Sequence, residues 1–304
     1  MLVPWLLADG HEVTVLDTMW FGSGHLPDNG RLRVIKGDVR NTSTIEGEMR
    51  GQQALLWLAS LSNNDMCERY PTSAFIVNHL APRTWLYAAK DAGVTRFIYA
   101  SSVAAYGSTS ADANEETYMA PTTPYARAKA HCENLVYEAN ADDFICTITR
   151  MASVCGYSVH QRLDLTVNKM VHEACRKGVI KVNGGKQKRS HIHIQDACRA
   201  YRLLLEAPKE KIAGQAFNFV AENQTVLETA KIVAEETGAR IEIGPATDDR
   251  SYTVDGTKAR EVLGFTPKRT VRAAVIDLKA RFLCGMWPDS LTNPVYQNMA
   301  EGLV

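Results

Sequence analysis

The sequence predicts an α/β protein: a doubly wound parallel sheet followed by a smaller C-terminal α/β lobe. Three observations predict it. Short apolar runs alternate with helical patterns through the first half of the chain. The runs are rich in branched or aromatic residues and mostly unalternating, as strands covered on both faces are. Strand, helix, strand repeated in this way implies right-handed crossovers and a parallel sheet. The length, 304 residues at 45% apolar content, is enough to bury a large core in one big domain or two unequal lobes.

In order, the runs are 13–16, 33–35, 54–59, 97–100 and 145–149, with helical stretches over about 42–50, 72–92 and 123–140. The second half is less regular. A helix over about 164–177 precedes the loop 182–189. A strand and helix over 191–206 lead to the apolar run 217–220, a helix over roughly 225–237 and a strand at 240–243. The polar turn Asp248-Asp249-Arg250 and a helix over about 270–283 close the chain. Ligands of doubly wound sheets bind at the carboxyl ends of the strands, so chemistry is sought just after each run.

Composition excludes several classes. The 34 basic residues balance 34 acidic ones, leaving no field of one sign for nucleic acid or an anionic membrane. The seven cysteines are scattered and show no C-x-x-C pair, which fits a reduced cytoplasmic protein better than a disulfide or zinc framework. Residues 2–8 are apolar but short, with Pro4 inside and Asp9 after them, and lack a basic flank, so they do not read as a signal peptide. No run approaches the roughly 18 apolar residues of a spanning helix.

The strongest chemical signal is Tyr125-Ala126-Arg127-Ala128-Lys129. Thr123 suits an N-cap and Pro124 a first turn, which puts Tyr125 and Lys129 on one helix face. A phenol is a poor base at neutral pH. An ammonium about 4 Å away interacts by roughly 4 kcal/mol at a surface-like dielectric. Before desolvation offsets part of it, that lowers a phenol pKa by up to about 3. Alone, the pair also reads as an exposed contact between helix turns. Upstream, the run ending at Ala100 is followed by Ser101, Ser102 and the turn to Tyr106-Gly107. A serine at a strand's carboxyl end either binds a substrate oxygen or satisfies turn backbone.

Together these residues resemble the extended short-chain dehydrogenase/reductase family, which includes NAD-dependent nucleotide-sugar epimerases and dehydratases. The resemblance rests on strand-Ser101-Ser102-x-x-x-Tyr106-Gly107 followed by Pro124-Tyr125-x-x-x-Lys129. Further pieces follow in the family's order: Gly10 to Asp17, Gly37-Asp38-Val39, Leu58-Ala59-Ser60, Tyr70-Pro71, Asn78, and Gly93 to Phe97. Arg150 to Gly156, Arg189, Asp196, Arg250 and Leu263 to Pro267 extend it over nearly the whole chain. The resemblance implies a Rossmann-like NAD-binding domain over 1–155, a substrate lobe over 156–304, and a return of segments near 190–220 to the first domain.

It also implies roles. Ser102 would polarise a sugar hydroxyl, Tyr125 would take or return its proton, and Lys129 would hold the nicotinamide ribose and tune Tyr125. Asp17 would accept the adenosine ribose hydroxyls, and its charge favours NAD over NADP. Asp38 and Val39 would lie at the adenine, and Leu58, Ala59, Ser60 and Asn78 on the nicotinamide side. Arg189 and Arg250 would clasp a nucleotide diphosphate, for which guanidinium forks are suited; Lys186 and Lys188 beside Arg189 read as solvated surface. Ser153 would face the substrate. His191 and His193 read as structural, and no third ligand at metal spacing joins them.

The sequence departs from the family in places. The family opens with a strand and a G-x-x-G-x-x-G loop that receives the pyrophosphate. Residues 1–10 resemble the helix after that loop, so about 15–20 residues of the pattern are not in this chain. A start at an internal methionine, a truncation or a real shortening would each account for this. The expected consequences are an interrupted central sheet and weak NAD binding by the chain as written. Cys155 stands where a tyrosine is usual, and Ala81-Pro82 where glycine-threonine is usual. Val103-Ala104 follows Ser102 where 4,6-dehydratases carry an Asp-Glu pair, which ranks a dehydratase low.

The resulting expectation is an epimerase on an NDP-sugar, a UDP-sugar at C4 being favoured. A related NAD(P)-dependent nucleotide-sugar reductase or decarboxylase is the alternative, and a catalytically silent binding relative is the alternative of another class. A homodimer through the helices near 72–92 and 123–140 is expected by resemblance.

Overall fold

The computed structural model describes residues 1–62, 64–246 and 250–297. Helix α1 (Leu2–Ala8) leads into β1 (Val13–Asp17), which pairs in parallel with β2 (Leu32–Lys36) from Val13↔Leu32 to Asp17↔Lys36. A 3-10 turn, Thr42–Thr44, and α2 (Ile45–Met49) return the chain to β3 (Ala54–Trp57). The strand ends at Trp57, so 58–60 of the expected run form the loop at its carboxyl end.

The expected helix over 72–92 is divided. After α3 (Asn64–Arg69) come α4 (Pro71–Phe75), a π-helical turn at Ile76–Leu80, and α5 (Ala81–Asp91). Pro82 lies in the first turn of α5. A proline has no N–H for the preceding turn and crowds its carbonyl, so the ladder widens into a π turn just ahead of it.

The chain then enters β4 (Arg96–Ser102), a 3-10 turn at Val103–Tyr106, β5 (Asp112–Ala113), α6 (Pro124–Ala139) and β6 (Ile145–Met151). The Ala126 N–H donates to Thr123 Oγ1 at 3.2 Å, the cap expected for α6. Gly107 ends the turn after β4 at φ +71, where a Cβ would stand 2.0 Å from the Ala120 carbonyl oxygen. No side chain fits there, so glycine is required for the strand end to turn back on itself.

The second half runs β7 (Ser153–Cys155), α7 (Thr166–Lys177), β8 (Val179–Asn183), β9 (Lys188–His193), α8 (Ile194–Glu206), α9 (Lys209–Ile212) and β10 (Gln215–Phe219). It closes with β11 (Glu222–Thr225), α10 (Val226–Thr237), β12 (Arg240–Gly244), β13 (Thr253–Val254), α11 (Thr257–Leu263) and α12 (Val271–Leu283). Asp248 and Asp249 of the expected turn lie outside the described residues.

The central parallel sheet has the order β10-β6-β4-β3. Its two faces are covered separately. Trp85, Ala89, Phe97, Tyr99 and Phe144 form the core under α5 and α6. Ile98, Ala200, Leu204, Phe217 and Phe219 form the core under α8 and α11. The double winding follows from the sequence: β6 is buried at every residue and therefore carries no alternation. Each such phenylalanine or leucine contributes roughly 1.5–3 kcal/mol by burial. A third core joins α7, α10 and α12 over β8 and β12.

The sheet is divided, as expected. Among the described residues, β1 pairs only with β2, and β3 only with β4. Side chains connect the two parts: Gln52 Nε2 donates to Thr14 Oγ1 at 3.4 Å, and Leu16 packs against the core that holds Trp57.

Candidate active site

Ser102 is the last residue of β4, and Tyr125 and Lys129 lie on the first turns of α6, which packs on that strand. The Ser102 hydroxyl accepts from the Ala104 N–H at 3.2 Å and lies close enough to the Tyr125 phenol to lower its pKa. Lys129 is buried; its Nζ donates to the Ala100 carbonyl at 2.7 Å and stands 5.6 Å from the Tyr125 ring centroid. The structure thus brings the expected trio together.

The electrostatics differ from the expectation. Burial pushes the Tyr125 phenol up to about 12, and pulls the Lys129 ammonium down to about 8. The Lys129 ammonium is expected from the sequence to lower the Tyr125 phenol. Instead, desolvation outweighs attraction, because Lys129 lies over the rings of Tyr99 and Tyr125 and gives a hydrogen bond to backbone. The strongest pulls lowering the phenol come from Arg162 and from Ser102.

Arg162 was not expected at the site. It lies between β7 and α7, its Nε and Nη2 donate to Asp164 at 3.0 and 2.6 Å, and its Nη1 donates to Ser62 Oγ at 2.8 Å. Ser62 sits in the loop after β3, so the contact joins that loop to the segment before α7. An Arg-x-Asp triplet in a loop has no spacing that announces a site; only the fold brings it to Tyr125.

On the expected cofactor side, Asp17 ends β1, exposed, with its Oδ1 accepting from the Met19 N–H at 2.7 Å. Met19 adopts φ +54, a left-handed conformation uncommon without glycine, which turns the chain sharply after Asp17. Leu58 is 47% exposed, and Ala59 and Ser60 follow it at the carboxyl end of β3. Three of the expected residues are also held by the protein itself. Asn78 is 2% exposed and faces inward: its Oδ1 accepts from Leu61 N at 2.8 Å and from Ser60 Oγ at 3.0 Å, so it holds the loop rather than presenting a donor. Asp38 is taken up by Arg40, whose Nε and Nη2 donate at 2.9 and 2.6 Å. Partial burial raises that carboxyl, but the Arg40 hydrogen bonds outweigh it and hold it below the usual range. Val39 presents its carbonyl to Trp85 Nε1 at 2.9 Å.

On the expected substrate side, Ser153 opens β7 opposite His191 of β9. Arg189 and Arg250 are brought together, but not as a free pair of forks. The Arg189 Nη1 donates to the Lys188 and Arg250 carbonyls, and its guanidinium stacks on Tyr252 at 4.9 Å. A guanidinium on β9 facing the neighbouring backbone satisfies carbonyls first, which sequence alone does not reveal. His191 is fully buried beside Thr229 and pulled down to about 4 by desolvation, and His193 Nδ1 accepts from Gln195 N at 3.1 Å as a helix cap. Both are structural, as expected.

The pattern that describes the NAD dependent epimerase/dehydratase family matches residues 1–219. The chain belongs to this family. Its relatives perform several reactions. It is 26% identical over 277 residues to a dTDP-glucose 4,6-dehydratase of Streptomyces niveus, covering 86% of this chain and 80% of that one. It is 27% identical over 290 residues to a UDP-glucose 4-epimerase of Lactobacillus helveticus, covering 86% and 87%. Among solved structures, MoeE5 in complex with UDP-glucuronic acid and NAD superposes with a TM-score of 0.82 at 27% identity, covering 93% and 95%.

NAD is the cofactor of this family. The described residues fit it in part. The uncovered Leu58 and its small neighbours would offer a nicotinamide an apolar face at the strand ends, and exposed Asp17 would offer ribose hydroxyls a carboxylate. Lys129 lies at the same end of the sheet. A buried amine with a depressed pKa beside a phenol is the kind of group found at functional sites.

Proposed function

We propose that this protein is an NAD-dependent nucleotide-sugar epimerase that inverts a UDP-sugar at C4 through a transient 4-keto sugar. The observation that carries this reading is the pairing of Ser102 with Tyr125 at the carboxyl end of β4, with apolar Val103 and Ala104 beside it. Neither neighbour supplies an acid or base, so β-elimination of water has no agent there. NAD, when bound, supplies a hydride acceptor that is regenerated in each turnover.

The protein's own residues handle the proton and the sugar. Ser102 orients the C4 hydroxyl by a hydrogen bond. Tyr125 removes the hydroxyl proton and later returns it. With its phenol at about 12, a value that already includes the pull of Arg162, Tyr125 is mostly protonated at neutral pH, and Arg162 enlarges the small deprotonated fraction that acts as the base. Lys129 binds ribose hydroxyls. Arg250 holds the diphosphate, and Arg189 acts chiefly by supporting the Arg250 backbone.

Products from a panel of UDP-sugars test the proposal. A 4-epimer without net NADH supports it, and stoichiometric NADH rejects it. The likeness to MoeE5, solved with UDP-glucuronic acid, supports testing UDP-glucuronate in the same panel.

A homodimer through the α4–α6 face belongs to this proposal. Phe75, Leu80, Tyr87 and Tyr137 are exposed on these helices and on the π turn between α4 and α5, and sedimentation would test it. Cytoplasmic location is supported by seven free thiols, five of them buried. Among the described residues, no helix is long and apolar enough to cross a membrane.

A further inference from the structure

Four residues beyond Lys129 and eight beyond Tyr125, the same face of α6 carries Glu133, fully buried. Arg150 of β6, also buried, grips its carboxylate. Nη2 reaches Oε2 at 2.6 Å, and Nε donates to Oε2 and Oε1 at 3.0 and 3.2 Å. The pair touches every part of the frame around Ser102. The Ser101 hydroxyl, next to Ser102 in β4, donates to Glu133 Oε1. Arg150 Nη1 donates to the Tyr106 hydroxyl at 2.8 Å and to the Glu115 carbonyl at 3.0 Å. Tyr106 closes the turn that begins at Ser102, and donates to Asn218 Oδ1 of β10 at 2.9 Å.

Such a pair is a poor device for stability. Desolvating two ions costs several kcal/mol each, and a well-packed apolar pair of similar volume is often as stable or more so. What a guanidinium–carboxylate fork adds is direction: two parallel hydrogen bonds fix angles as well as distance. We propose that Glu133 and Arg150 are positioning residues whose fork sets the rotation of α6 over the end of β4, and so the spacing between the Ser102 hydroxyl and the Tyr125 phenol. This rests on the roles proposed above for Ser102 and Tyr125. A reacting group displaced by about 1 Å can cost around a hundredfold in rate, so the fork acts on turnover more than on folding.

Three variants test it. Arg150→Lys keeps the charge but loses the fork. Glu133→Asp keeps the charge but shortens the reach. The double variant Glu133→Leu, Arg150→Met removes the ions while filling the space. The expected result is a kcat lower by about tenfold or more in all three, with KM for the sugar nucleotide and NAD affinity unchanged. The double variant should melt at or above the wild-type temperature, which separates positioning from stability. Unchanged kcat in a folded double variant overturns the proposal, as does a loss of kcat that merely follows loss of Tm. If the wild-type chain converts no sugar nucleotide, the proposed function fails by itself. The pair is then judged from crystals of the double variant: a shifted Ser102–Tyr125 spacing supports the assignment, and an unchanged spacing overturns it.

Discussion

Arg162 Nη1 donates a hydrogen bond to Ser62 Oγ at 2.8 Å, joining the segment before α7 to the loop after β3. The same guanidinium pulls the neighbouring Tyr125 phenol down from the high value that burial imposes. Arg162→Met should therefore raise the phenol further. A base that works deprotonated then reaches its active form at higher pH, so the alkaline rise of kcat should move upward. At pH 7 turnover should fall by about tenfold if the phenol rises by one unit. A pH profile of kcat in the variant checks this, and a superimposable profile rejects it.

Tyr125→Phe removes the proton carrier and little else, because the ring keeps its packing. Turnover should fall by roughly 10²–10⁴-fold. NAD binding followed by calorimetry should be retained. Ser102→Ala should cost less, since the phenol remains. Equal losses from the two variants would contradict the separate roles proposed for them.

Gly107→Ala tests the turn behind Ser102. The added methyl would collide with the Ala120 carbonyl oxygen at 2.0 Å, and the backbone there is left-handed at φ +71. At ψ −149 this backbone lies in a region essentially confined to glycine, which alone costs about 1–3 kcal/mol for another residue, and the collision adds to it. Both Tm and kcat should drop. A variant of wild-type stability would mean that the turn relaxes freely.

His191 predicts an acid-sensitive fold. It is buried and pulled down to about 4, against about 6.5 in an unfolded chain. Its folded pKa is depressed, so below pH 6.5 the unfolded chain binds the extra proton first. Stability should be full above pH 6.5 and decline as pH falls towards 4, by on the order of 3 kcal/mol from this group. Tm measured between pH 7 and 4.5 should fall less steeply in His191→Gln than in wild type.

The parts of the fold that could be read from sequence are those whose cause is local. β4 and β6 declared themselves because strands buried on both faces read as short runs rich in branched and aromatic residues, without a polar face in alternation. The cap at Thr123 and the spacing of Tyr125 and Lys129 are likewise local. β5, β7, β11 and β13 were not read, because strands of two to four residues show no period, and β8 was missed because it follows α7 directly after Gly178 and runs into the expected loop 182–189. Asn78 illustrates a different limit. Resemblance carried over the residue but not its partners, and its amide turned out to be committed to Leu61. The shifts of Tyr125 and Lys129 depend on burial, which spacing along a helix does not report. Arg162 depends on a contact between positions 100 residues apart in the chain.

The division of the sheet has a dynamic consequence. The β1–β2 ribbon shares no backbone ladder with β3 among the described residues and is held by side chains such as Gln52 and Leu16. A two-stranded ribbon anchored in this way is the natural first unit to open below the global unfolding transition. Asp17, expected to meet the adenosine, lies at its end. Binding there would be linked to closure of the ribbon, so a saturating dinucleotide should slow amide exchange at residues 13–17 before it measurably raises Tm. Amide exchange at residues 13–17, compared with and without saturating dinucleotide, tests this linkage.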